Sequence, residues 1–293
     1  MKPKVSVRIV TYNHERFIGE TLESVLCQKV DFPYEMVIAE DCSSDNTRRI
    51  LLDYQRRHPD VIRLLLNERN MGSRYTTRRA RHQCRGEYVA FLDGDDYWTS
   101  PDKLQRQAEL LDRNPQYAIC FHRVRIVHED GREGGLYPSR PLRPVLTLEE
   151  CLSENVMPSG SMFYRSNLFT DIPPEFAAVP FGDWPIQICC LVKGDAGFID
   201  EAMGVHRFHR GGLWTQGGSR SARVRIDQTQ GRISFLKAAD AFLEHRYGDL
   251  IARLLARRKD ELRALQVERI KDGLRERFPT LYHVLRTAQR GGW

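Results

Sequence analysis

Residues 88–96, Tyr-Val-Ala-Phe-Leu-Asp-Gly-Asp-Asp, decide the fold. A short, continuous apolar run is the mark of a strand covered on both faces, as in parallel sheets. Here it ends in three carboxylates around one glycine, and Asp93, Asp95 and Asp96 fall at the carboxyl end of the strand, where open α/β sheets gather ligands. Carboxylates so close together repel one another unless a hard cation neutralises them. Mg2+ or Mn2+ takes one or two carboxylates and completes its shell with water and substrate phosphate oxygens. The plainer alternative is a polar loop in which Asp96 caps the next helix.

Outward from this strand, apolar runs alternate with amphipathic stretches. Strands are predicted over 5–12, 34–40, 61–67, 87–93 and 117–127. A helix over 15–28 carries Phe17, Ile18, Leu22, Val25 and Leu26 at helical spacing. Ser44 and Asp45 are N-cap candidates for a helix with Ile50, Leu51 and Tyr54, and an Arg-rich helix lies near 74–85. Ser100 as cap and Pro101 as first residue open a helix with Leu104, Ala108 and Leu111 on one face. Such alternation implies βαβ units and a largely parallel sheet. After a hairpin signal at 128–135 the pattern turns irregular up to about 220, with short strands expected at 160–165 and 205–210 and a buried helix at 183–194. From 221 onward the text is helical almost to the end.

Composition bounds the rest. The chain has 293 residues, 41% of them hydrophobic, and no apolar run near the roughly 20 residues that span a bilayer. No signal-peptide core follows Met1, so a soluble, cytoplasmic protein is expected. Seven cysteines without a Cys-x-x-Cys pair point to reduced, mostly buried thiols in place of a disulfide framework or zinc site. The net charge of +6 belongs to the tail: from Arg246 onward 12 Lys+Arg stand against 6 Asp+Glu, which leaves 33 against 33 before it. That argues against a nucleic-acid groove in the main body, though not against a surface-binding tail. In the tail, Ile226, Phe235, Leu236, Leu254, Leu265 and Ile270 mark apolar positions. Acidic Asp260, Glu261 and Glu268 dilute its positive face, which favours packing or subunit pairing over peripheral contact with an anionic membrane.

The same sheet edge collects further polar residues. Thr-Tyr-Asn-His-Glu (11–15) follows the first strand, Glu-Asp-Cys-Ser-Ser-Asp-Asn-Thr (40–47) the second, and Asn-Met-Gly (70–72) the third. A tyrosine ring and a carboxylate there suit stacking on a base and accepting from a ring N–H, and Gly72 suits close backbone approach. With Gly-Glu-Tyr-Val-Ala-Phe-Leu-Asp-Gly-Asp-Asp-Tyr-Trp (86–98), Pro-x-Lys-Leu-x-x-Gln (101–107) and the stretch from Phe181 to Trp214, these segments occur in the order seen in glycosyltransferase family 2. The chain resembles the bacterial branch of that family over about residues 4–217.

The resemblance implies a GT-A fold: a Rossmann-like, mixed but largely parallel sheet flanked by helices, with a helical C-terminal extension. It implies a glycosyltransferase domain over 1–220, with a nucleotide-binding half to about 125 and an acceptor half from 126, followed by the basic extension 221–293. The implied activity is metal-dependent and inverting: a sugar, hexosyl in the usual case, moves from a nucleoside-diphosphate sugar to an acceptor hydroxyl in bacterial surface-glycan synthesis. Asp41 would contact the base, which favours a UDP-sugar, within a pocket of Thr11 and Tyr12. Asn13, Glu15, Asn70, Gly72 and Gly94 would complete the donor site. Asp93 would face the ribose or a metal-bound water, Asp95 and His209 would hold Mn2+ or Mg2+, and Trp214 would lie near the donor loop. Asp183 would be the catalytic base. Where the family often has Ala-Arg-Asn, this chain has Thr-Thr-Arg-Arg-Ala-Arg (76–81), so Arg79 or Arg78 is the candidate for the diphosphate.

Local readings accompany these roles. Asp183 is also a natural N-cap, Ser159 and Ser161 fit either a turn or a sugar contact, and His206 fits a satisfied core histidine. The acceptor is open among glycan, lipid-linked sugar, peptide and small metabolite, and the protein is expected as a monomer or homodimer. A sugar nucleotidyltransferase is the rival enzyme, but residues 11–17 lack the glycine-rich loop it needs. A nucleotide-sugar-binding module without catalysis is opposed by the presence of both Asp95 and Asp183.

Overall fold

A computed structural model of the chain describes residues 2–209, 211–212 and 222–277. Among them ten strands form one sheet: β1 (Val5–Thr11), β2 (Tyr34–Glu40), β3 (Ile62–Leu66), β4 (Tyr88–Asp93), β5 (Tyr97–Trp98), β6 (Tyr117–His128), β7 (Glu133–Tyr137), β8 (Val145–Leu146), β9 (Phe163–Arg165) and β10 (Asp195–Phe208). The helices are α1 (Ile18–Leu26), α2 (Thr47–Arg57), α3 (Ser73–Gln83), α4 (Lys103–Arg113), α5 (Leu148–Ser153), α6 (Trp184–Leu191), α7 (Ala222–Phe242) and α8 (Gly248–Arg277).

The strand order is β3-β2-β1-β4-β9-β6-β10-β5, with β7 added to β6 and β8 to β10. β3, β2, β1 and β4 are parallel, and β2, β1 and β4 show the near-continuous burial typical of such sheets. The three residues of β9 run antiparallel between β4 and β6, and β6 and β10 then pair in parallel. The sheet is therefore the mixed, largely parallel one expected. Its core packs Val7, Ile9, Ile38 and Leu92 against Leu22 of α1 and Leu104 and Leu111 of α4.

The boundaries shift where side chains find other work. α4 opens at Lys103, not Pro101; the Ser100 hydroxyl instead bonds to the carboxylate of Asp102, the residue before the helix. α2 starts behind Asn46, but Asp45 still accepts from the Thr47 N–H (2.9 Å). The short strand expected at 205–210 is the end of a 14-residue strand, β10, interrupted by register shifts against β6. Its polar middle, Asp200-Glu201, hides the strand pattern, because bulges break the period of two. α5 also escaped the periodicity reading, although Thr147 and Glu150 form a capping box in front of it.

By contacts the chain divides into two compact units. One comprises Met1–Pro174 with Gly182–Gly212; the other joins Glu175–Phe181 to the C-terminal helices. In the second, α7 and α8 pack together, and Arg225 near the start of α7 pairs with Glu268 near the end of α8 (3.0 Å), so the helices are antiparallel. Phe176 lies against Phe235 and Phe242 of α7, with ring centroids 6.0 and 5.5 Å away. Ile226, Phe235, Leu236 and Leu265 are buried, whereas Ile270 is exposed. No helix of the described residues is long and apolar enough to cross a membrane.

Candidate active site

Register sets the site. Thr11 pairs with Glu40 and Val10 with Asp93, so β1, β2 and β4 deliver their last residues to one edge. Beyond it the first two loops are stitched together. The Asn13 N–H donates to Ser43 Oγ (3.0 Å), the Ser44 N–H to Asn13 Oδ1 (2.9 Å), and the His14 N–H to Thr47 Oγ1 (2.8 Å). The Glu15 N–H donates to Asp45, and Glu15 accepts in turn from the Asn46 N–H (2.9 Å). Asn13 and Glu15, expected at the donor, thus hold the two loops together and fix the residue between them, His14. Glu40 is fully buried against the Arg48 guanidinium.

The three aspartates part company. Asp93 accepts from Ser159 Oγ (3.1 Å) and lies 3.7 Å from the buried Arg8 guanidinium; burial pushes its pKa up to about 6 against that charge, and Asp95 and Asp96 push the same way. Asp96 does not cap a helix. It is 2% exposed and accepts from His206 Nδ1 and the Arg207 N–H, both at 2.9 Å, which ties β10 to the acidic loop. His206 loses some affinity for its proton through burial, but Asp96 outweighs this and lifts it to about 9. Arg207 donates to the Asp95 carbonyl (2.6 Å). Gly94 is needed because a Cβ there would lie 2.6 Å from Thr11 Cβ and 2.9 Å from His14 Nδ1.

Asp95 has a different company. His209 Nε2 lies 2.9 Å and His14 Nε2 3.7 Å from Asp95 Oδ2, and the three ligand atoms sit within 4.8 Å of one another. Burial pushes the Asp95 carboxyl up, but the hydrogen bond from His209 and the charges of His14 and His209 outweigh it and hold it below the ordinary carboxylate range. Burial lowers the His14 pKa despite Asp95, which favours the neutral imidazole that binds metal. His14 Nδ1 is 3.2 Å from Thr11 Oγ1; donation from Nδ1–H to that oxygen would orient the ring and free Nε2 as a ligand. Two imidazoles and one carboxylate fit a divalent transition ion better than Mg2+, which prefers an all-oxygen shell.

Around this centre, the Asp41 carboxylate accepts from Asn67 Nδ2 (2.7 Å) and from the N–H groups of Met71 and Gly72 (2.8 and 2.9 Å), so it holds the 70–72 loop. Asn70 caps the Gly72 N–H as well (3.0 Å), and Gly72 itself adopts φ 84°, ψ 154°. Tyr12 presents an exposed ring beside that edge. Arg79 gives its guanidinium to the Leu66 carbonyl (3.1 Å) and to Asn67, and Arg78 to Asp171 (2.9 Å). Asp183 sits at the N-cap of α6, accepting from the Trp184 N–H (2.8 Å) and from Asn155 Nδ2 (3.1 Å); burial raises its pKa against those bonds. The charge of His206 reaches it. Ser161 is buried in a turn and donates to the Pro158 carbonyl. Trp214 lies outside the described residues.

Sequence reasoning overlooked His14, although it stands inside the quoted 11–15 segment; a lone histidine after a strand carries no spacing signal. Arg8, Asn155 and Arg207 were overlooked too, since each acts through a contact distant in sequence.

An uncharacterized protein of Mycobacterium tuberculosis, Rv1520, is 36% identical over 211 residues, which cover 72% of this chain; the chain spans 60% of that relative's length. The Staphylococcus aureus protein TarS, solved with UDP-GlcNAc, is 25% identical, with a TM-score of 0.64 over 87% of this chain and 72% of that one. A mannosyltransferase of Pyrobaculum calidifontis, PcManGT, solved with GDP-Man and Mn2+, shares the fold at 18% identity, with a TM-score of 0.58 over 99% of this chain and 85% of that one. The family model described as Glycosyl transferase family 2 matches residues 6–172, more than half of the sequence, so the chain belongs to glycosyl transferase family 2.

Proposed function

We propose that the protein is a metal-dependent, inverting glycosyltransferase that moves a sugar from a nucleoside-diphosphate sugar to an acceptor hydroxyl, in the synthesis of a bacterial surface glycan. The observation that carries this reading is the convergence of His14, Asp95 and His209 beside Asp93 at the carboxyl edge of the sheet. TarS and PcManGT, which share the fold, are solved with nucleotide sugars, and PcManGT also with Mn2+. A divalent ion held by His14, Asp95 and His209 would neutralise charge on the departing diphosphate. The preferred ion is Mn2+. The surface-glycan acceptor rests on the resemblance to the bacterial branch alone.

Within that scheme Tyr12 offers a ring for the base, Asp93 faces the ribose, and the Asp41-tied loop sets the depth of the base pocket. Asp183 takes the proton of the acceptor hydroxyl while its oxygen attacks the anomeric carbon from the face opposite the diphosphate. One C–O bond forms as the sugar–phosphate bond breaks, and the configuration inverts. A carboxyl raised by burial is suited to this role, because its basicity approaches the working pH. In this reading the glycosyltransferase domain spans 1–220 and the C-terminal extension 221–293.

The test is a panel of nucleotide sugars with Mn2+, Mg2+ or chelator, reading slow donor hydrolysis and transfer. Asp183→Asn is expected to lower transfer by about 10³-fold or more while donor affinity stays within about twofold. Full transfer by that variant would remove Asp183 from the role of base.

A further inference from the structure

A cavity opens at the other edge of the same sheet. It encloses about 930 Å3 beside the amino ends of β1 and β4, while the candidate active site stands at their carboxyl ends. β1 has seven residues, so the two edges are about 20 Å apart. Lys2, Lys4, Arg81, His82, Arg85 and Arg165 line the cavity, and among its described lining residues Glu87 is the single carboxylate.

Part of this positive charge is answered nearby. Lys4 pairs with Asp112 (2.7 Å), and Arg81 and His82 share Asp171 (both 2.9 Å). Arg165 instead spends its donors on the carbonyls of Tyr117, Leu111 and Asn114 and on the Tyr88 hydroxyl, none of which carries charge. Arg85 is exposed; its backbone N–H donates to Glu35 (2.8 Å), but its guanidinium forms no ion pair among the described residues. Two buried donors on lining residues also lack a partner among the described residues: the hydroxyl of Tyr164, which is 1% exposed, and Nε of Arg81, which is 8% exposed. Burial pushes the Tyr164 phenol up, so it keeps its proton to donate. Orphaned buried donors are rare in folded proteins, and a bound acceptor is one way of satisfying them. Excess cations, unsatisfied donors and a cavity of small-molecule size call for the same occupant, an oxyanion on a larger body.

We propose that this cavity binds the phosphate or diphosphate group of an anionic ligand, with Arg81, Arg85 and Arg165 supplying charge and Tyr164 and Ser166 supplying hydroxyl donors. The site uses none of the residues assigned to sugar transfer, and it stands whether or not that assignment holds.

Inorganic diphosphate is the probe, titrated by calorimetry into the full chain with chelator present and in an Asp95→Asn background, so that the metal centre contributes nothing. Saturable binding is expected, weakened about tenfold by Arg85→Glu, whose side chain is exposed and leaves folding intact, and weakened also by Tyr164→Phe. A parallel arm sediments the protein with vesicles of phosphatidylcholine doped with phosphatidic acid. Vesicle retention that free diphosphate competes away identifies a lipid headgroup as the source, and diphosphate binding without vesicle retention identifies a soluble phosphorylated compound. Either result supports the site provided that Arg85→Glu weakens it about tenfold. Binding to neither probe, or equal binding by wild type and Arg85→Glu, overturns the proposal.

Discussion

Gly94 shows how little room the acidic loop has. A methyl group there would meet Thr11 Cβ at 2.6 Å and His14 Nδ1 at 2.9 Å, distances that real Cβ atoms do not tolerate. Gly94→Ala is expected to cost about 1–3 kcal/mol of stability and, by displacing His14, to weaken Mn2+ binding at least about tenfold. Unchanged Mn2+ affinity in a calorimetric titration would remove His14 from the ligand set. His206 gives a pH signature. Its folded pKa of about 9 lies above the ordinary histidine value, so its pair with Asp96 contributes fully below about pH 6.5 and is lost as pH rises through 9. In chelator, the denaturant midpoint of the wild type should fall across that window by an amount on the order of 2 kcal/mol, and His206→Asn should flatten the fall. A wild-type profile already flat from pH 6.5 to 9 would refute the pairing.

The 70–72 loop and β10 decide the site at the level of elements. Gly72 takes a backbone conformation that L side chains rarely adopt, yet no atom lies within 4 Å of a Cβ built there. The effect of Gly72→Ala is therefore one of backbone strain, about 1–3 kcal/mol, and it should loosen the loop that Asp41 holds. Donor KM is expected to rise several-fold with kcat little changed; an equal fall in kcat would place the loop in the chemical step. β10 crosses from the far end of the sheet with register shifts and brings His206, Arg207 and His209 onto the acidic loop of β4. The sequence signalled β1 to β4 clearly because buried parallel strands are unbroken apolar runs. It hid most of β10, because bulges and an exposed acidic pair erase the alternation on which a strand is recognised.

For the whole molecule, the proposed metal centre joins the ends of β1, β4 and β10, elements that are neighbours only after folding. Ligation there should stabilise the unit globally: at a hundredfold excess of Mn2+ over its Kd, about 2.7 kcal/mol, or roughly 5–10 °C in Tm for a unit of this size. A thermal shift by nucleotide sugar that is the same in Mn2+ and in chelator would sink the role given to Asp95 and His209. By itself the sequence determined the parallel half of the sheet and the family, because hydrophobic period and short ordered motifs are local properties. The tertiary structure alone decided that His14 completes the cluster and that Asp96 clamps β10. It also showed that Asn13 and Glu15 stitch two loops together, and that a cationic cavity lies at the opposite edge. Each of these depends on side chains far apart in sequence meeting at a fixed register, and no single stretch of residues carries that information.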